Sequence, residues 1–126
     1  MSNKAKILVV DDDHDLVEVL KAVLEGESYD VVVAYNGKEA VAKAKKENPD
    51  LILLDIIMPE KDGFLTAEEL KKDPAFAKTP ILALTSFSGG DMGQPFPFEV
   101  EEYIMKSTSP KDILKKVAAH LERKGI

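Results

Sequence analysis

The run Leu51-Ile52-Leu53-Leu54 places four large apolar residues in succession, so a strand built from it leaves neither face to water. Such a strand needs a layer on each side, and helices packed over a parallel sheet supply both layers. The rest of the chain repeats that theme. Ile7-Leu8-Val9-Val10 reads as a buried first strand. From Asp15 the period changes, and Leu16, Leu20, Val23 and Leu24 fall on one helical face. Tyr29 to Tyr35 is β-branched and reads as strand two. Asn36 and Glu39 then form a capping pair for a second helix through about Glu47, which Asn48-Pro49 stops. Asp62-Gly63 turns into a third helix with Leu65, Ala67 and Leu70 available for packing, and Asp73-Pro74 breaks it. Ile81 to Leu84 is a fourth strand and Tyr103-Ile104-Met105 a short fifth. Ser109-Pro110 caps a last helix that buries Ile113, Leu114, Val117, Ala118 and Leu121.

One stretch breaks the alternation. Ser86 to Val100 holds Gly89, Gly90, Gly93, Pro95 and Pro97 without a helical stripe, and reads mainly as loop. Phe87, Phe96 and Phe98 within it are expected to bury themselves, the other reading being a patch that faces a partner. No repeat or linker interrupts the 126 residues, so a single domain over 1–126 with one core is expected. The absence of cysteine excludes disulfides, thiolate metal sites and a cysteine nucleophile, and fits a reducing cytoplasm. No stretch approaches the roughly 20 apolar residues of a membrane span. A net charge of −6 with scattered lysines argues against direct nucleic-acid binding.

Right-handed crossovers place the functional loops of an open parallel sheet at the carboxyl ends of its strands. That rule selects residues. Asp11 and Asp12 follow strand one, Asp55 strand three, Thr85 strand four and Lys106 strand five. Three adjacent carboxylates, Asp11 to Asp13, repel one another unless a cation or solvent screens them. Converging acidic groups suit a hard cation such as Mg²⁺, which takes oxygen ligands and retains several waters. The lysine adds a fixed positive charge, and the threonine hydroxyl is a donor for a phosphoryl oxygen. An aspartate in such a site is able to become a covalent acyl phosphate.

These residues sit in segments that resemble the receiver domains of two-component response regulators. The segments are Ile7 to Asp13, Pro49 to Pro59 with Asp62-Gly63, Leu84-Thr85-Ser86, and Tyr103 to Lys106. Their order and spacing carry the resemblance, with 43 residues from Asp12 to Asp55, 30 from there to Thr85 and 21 from there to Lys106. The resemblance implies a flavodoxin-like (βα)5 three-layer sandwich whose parallel sheet has the order 2-1-3-4-5. It also implies that Asp55 accepts phosphate from a histidine kinase or a histidine phosphotransfer protein. Asp12 would bind Mg²⁺ directly, Asp11 mainly through water, and Ile57 through its backbone carbonyl. Lys106 would pair with the phosphoryl group, Thr85 would move towards it, and the aromatic Tyr103 would re-pack to change a protein-binding surface. No membrane role is implied, and the protein is expected to signal rather than act as an enzyme.

Two departures stand out. Ser107 follows the lysine where the family usually has proline, and the segment 86–100 predicts a short, distorted or absent fourth helix. Ile57 and Phe87 are expected to flank the site and slow attack of water on the phosphate. Competing readings are a pseudo-receiver that only binds, and a flavodoxin-like phosphatase or nucleotide binder. The second lacks a glycine-rich phosphate loop after strand one. His14 and His120 read as surface residues without a role.

Overall fold

A computed structural model describes residues 4–56, 63–85 and 100–124. Among the described residues, five parallel strands and four α-helices follow in the order β1 (Lys6–Val10), α1 (His14–Gly26), β2 (Asp30–Ala34), α2 (Gly37–Glu47), β3 (Leu51–Asp55), α3 (Gly63–Lys72), β4 (Ile81–Thr85), β5 (Glu102–Met105) and α4 (Pro110–Lys124). A single 3-10 turn, Pro74–Phe76, precedes β4. The sheet order is β2-β1-β3-β4-β5, the expected flavodoxin-like arrangement. The expectation for the stretch between β4 and β5, with its three phenylalanines, lies outside the described residues, as does the one for Ile57.

Strand β3 is central and wholly buried, and its alternation divides the core in two. Leu51 and Leu53 join Ile7, Val9, Leu82 and Leu84 beneath α1 and α4. Ile52 and Leu54 join Leu8 and Val10 beneath α2 and α3. This is the three-layer solution that an apolar strand demands.

The helices start where short polar side chains meet free backbone N–H groups. Asp13 caps α1, its side chain accepting from the Leu16 N–H at 3.2 Å. Asn36 Oδ1 accepts from the Glu39 N–H at 2.9 Å, and Glu39 Oε1 accepts from the Tyr35 N–H at 3.0 Å, a reciprocal capping box for α2. Asn48 ends that helix in the left-handed region, φ 49°. Along the outer strand β2, the Lys43 ammonium donates to the Val33 carbonyl at 2.6 Å.

Two details differ from expectation. In α3 the inner positions are Gly63, Thr66, Ala67 and Leu70, which leaves Leu65 55% exposed. His120 is buried, since it continues the stripe of Ile113 and Val117 at helical spacing. Its Nε2 lies 2.9 Å from Glu102 Oε1, while the Lys116 ammonium donates to Glu102 Oε2 at 2.5 Å, so α4 grips β5 through one carboxylate. The Lys106–Ser107 peptide, whose isomer the sequence leaves open, is trans.

Gly63 shows how α3 is brought to the end of β3. Its N–H donates to the Ile56 carbonyl at 3.1 Å, and a Cβ there would collide with the Asp55 carbonyl oxygen and the Ile56 Cα. Gly63→Ala is expected to cost about 1–3 kcal/mol in urea unfolding. Gly26→Ala, where an added Cβ meets nothing within 4 Å, should instead stabilise by roughly 0.5–1 kcal/mol. Removal of the α2 cap in Asn36→Ala is expected to cost about 0.5–2 kcal/mol.

Candidate functional site

The parallel register brings the strand ends to one rim. Val10 pairs with Leu54 and Asp55 with Leu84, so Asp11, Asp55 and Thr85 leave the sheet side by side. The Asp11 N–H donates to the Ala34 carbonyl at 3.2 Å, extending the β1–β2 ladder one step past the strand. The Lys106 N–H donates to the Thr85 carbonyl at 2.7 Å and so sets where the lysine leaves β5. That contribution of Thr85 comes from its backbone, which no reading of residue types reveals.

Asp11, Asp12 and Asp55 each offer an oxygen within 4.8 Å of the others. Asp11 and Asp55 are buried and Asp12 is exposed. The Lys106 ammonium lies 3.0 Å from Asp55 Oδ2 and 3.0 Å from Asp11 Oδ2, and donates to Asp11 Oδ1 at 3.2 Å. Asp11 Oδ1 also accepts from the Asp13 N–H at 2.9 Å, which folds the acidic turn back on itself.

Burial raises the Asp11 carboxyl from its ordinary 3.8 to about 6, with the Asp55 charge adding to the rise, against hydrogen bonds from the Asp13 N–H and Lys106 that lower it. Burial alone would lower Lys106, but its hydrogen bonds to Asp11 and Asp55 outweigh that and hold it above 10.5. Lys106 therefore keeps its charge throughout the neutral range. Three carboxylates face one ammonium, so with all of them ionised the cluster carries two uncompensated negative charges.

A divalent cation fits this arrangement on the structure's own terms. Asp11 Oδ2 is buried and accepts no hydrogen bond despite the nearby ammonium, and oxygen-only donors suit a hard ion. Asp12 is the exposed member of this cluster, while Asp11 and Asp55 are buried.

Tyr103 pairs in register with Ala83, and Met105 with Thr85. Strand alternation therefore puts Tyr103 and Thr85 on the same side of the sheet. Tyr103 is half-buried, which raises its hydroxyl pKa. The same rim holds a contact with no sequence signal: the ring of His14, the first residue of α1, stacks on Tyr35 with centroids 3.9 Å apart and planes 9° apart.

Known proteins share this architecture. Residues 7–118 match the family described as the response regulator receiver domain. The transcriptional regulatory protein ResD of Bacillus subtilis is 40% identical over 124 residues, 97% of this chain and 50% of that protein. The alkaline phosphatase synthesis transcriptional regulatory protein PhoP of the same organism is 37% identical over 96% of this chain and 50% of its own length. The chain thus spans about half the length of these relatives. Among solved structures, the chemotaxis response regulator CheY4 of Vibrio cholerae superposes with a TM-score of 0.87 at 29% identity, covering 94% of this chain and 99% of that one. The response regulator TrrA of Thermotoga maritima, solved in complex with Mg²⁺-BeF, gives 0.82 at 34% identity over 92% and 98% of the two chains. With its acidic triad at the end of a 2-1-3-4-5 sheet, the chain belongs to the receiver domains of response regulators, the phosphoacceptor switches of two-component signalling.

Proposed function

We propose that Asp55 is the phosphoacceptor of this receiver domain. One observation carries the assignment: Lys106 holds the buried Asp55 carboxylate at 3.0 Å beside a second buried carboxylate, so a nucleophile and a fixed cation occupy one rim. The donor is the phosphohistidine of a histidine kinase or phosphotransfer protein. An Asp55 oxygen attacks the phosphorus, the P–N bond breaks as the O–P bond forms, and the imidazole leaves with a proton from solvent. Lys106 neutralises charge on the transferred group. The Thr85 hydroxyl, at the adjacent strand end, donates to a phosphoryl oxygen, and Tyr103 re-packs on the same side of the sheet.

Asp11, Asp12 and Asp55 would hold Mg²⁺, together with the Ile57 carbonyl. When bound, the ion supplies charge neutralisation for the incoming phosphoryl group. TrrA, solved with Mg²⁺-BeF, supports that choice of metal. A cytoplasmic setting follows from the proposed kinase partner. Among the described residues no helix is long and apolar enough to cross a membrane.

Incubation with Mg²⁺ and acetyl phosphate is expected to add one phosphate by intact mass, and Asp55→Asn should abolish the addition. Unchanged labelling of that variant would place the acceptor elsewhere; no labelling of the wild type would favour a pure binding module. The raised Asp11 pKa yields a second expectation. The folded state holds that proton more tightly than the unfolded chain, so Asp11 contributes stability below about pH 3.8 that is lost as pH rises through about 6. Asp11→Asn should therefore raise the melting temperature without Mg²⁺ at pH 8 and lose that advantage near pH 4. Wild-type Mg²⁺ affinity should fall as pH drops through about 6, where a proton competes for the ligand.

A further inference from the structure

We infer that the stacked rings of His14 and Tyr35 are a positioning pair for Asp12, and that they raise the affinity of the acidic cluster for a divalent cation. The inference rests on the metal reading above and adds two residues to it.

The need for such a device lies in the turn between β1 and α1. Asp11, Asp12 and Asp13 are consecutive, and their mutual repulsion favours splaying of the turn before any ion arrives. Asp11 is buried and anchored by Lys106, and its N–H is bonded to Ala34. Asp13 is committed to the α1 cap and to Asp11. Asp12 is exposed, as Asp13 is, but caps no helix. Its position depends on the backbone that enters α1 two residues later at His14.

That entry point is fastened from outside the turn. The His14 ring lies nearly parallel to Tyr35, 3.9 Å between centroids. Tyr35 is itself fixed, because it follows β2 directly and its N–H donates to Glu39 Oε1 in the α2 capping box. A rigid chain of contacts therefore runs from the start of α2 through Tyr35 and His14 to the Asp12–Asp13 backbone. Together with the Asp11-to-Ala34 bond it ties the acidic turn to β2 at two points. Partners that orient ligands commonly change metal affinity by an order of magnitude without touching the ion, because they remove the cost of organising the ligands on binding.

The His14 ring is exposed, whereas Tyr35 is partly buried against the core beneath α1, so His14→Ala removes the stack without emptying the core and separates its loss from loss of the fold. The test is calorimetric titration of the full chain with MgCl₂ at fixed pH and ionic strength, alongside melting curves in EDTA. Tyr35→Ala and His14→Ala are each expected to weaken Mg²⁺ binding roughly three- to tenfold, the range an aromatic pair supports. Tyr35→Phe and His14→Phe retain a stack and should stay within about twofold of wild type. The double alanine variant should be no weaker than either single one, because both remove the same contact. If the alanine variants lower the melting temperature but bind Mg²⁺ as wild type does, the pair is merely structural and the inference fails. If wild type and all variants bind no Mg²⁺, the metal reading fails and takes the inference with it. If wild type binds and Tyr35→Phe weakens binding as much as Tyr35→Ala, the hydroxyl is responsible and the stacking assignment is overturned.

Discussion

The Lys106 ammonium between Asp11 and Asp55 is the contact around which this rim is organised. Two carboxylates are almost wholly removed from water within reach of each other, a placement that repulsion and desolvation both oppose. One cation offsets part of that cost, and the geometry that delivers it spans the sheet. β1 supplies Asp11, β3 supplies Asp55, and the Thr85 carbonyl at the end of β4 fixes the lysine as it leaves β5. One ammonium against three carboxylates leaves the rim with a negative field, and such a field favours a cation there.

Much of the fold was legible because each strand carries its own burial pattern. Leu51 to Leu54, apolar on both faces, required the central position it occupies, and Asn36 with Glu39 announced the start of α2 that their reciprocal bonds define. The candidate site was legible for a related reason. Crossover handedness sends strand ends to one rim, so acidic and basic residues just past apolar runs had to meet.

What escaped the sequence depended on contacts between elements. Leu65 looked available for the core, yet Gly63 must approach the Asp55–Ile56 backbone, and this fixes the helix so that Thr66 and Ala67 turn inward. His120 read as polar surface because its residue type outweighed its spacing from Val117; the helical period was the better guide, and Glu102 on β5 satisfies the imidazole it buries. The role of the Thr85 carbonyl and the stacking of His14 on Tyr35 left no trace in residue type or spacing, since both arise from how neighbouring strands end.

Lys43 has a consequence of a different kind. An open sheet offers unpaired carbonyl groups along its outermost strand, an invitation for another chain to continue the ladder. On β2 the Val33 carbonyl is already taken by an ammonium whose bulk and charge obstruct an incoming strand. Strand addition on that side is thereby disfavoured. The same side chain that satisfies one outward carbonyl thus guards the sheet against edge-to-edge association.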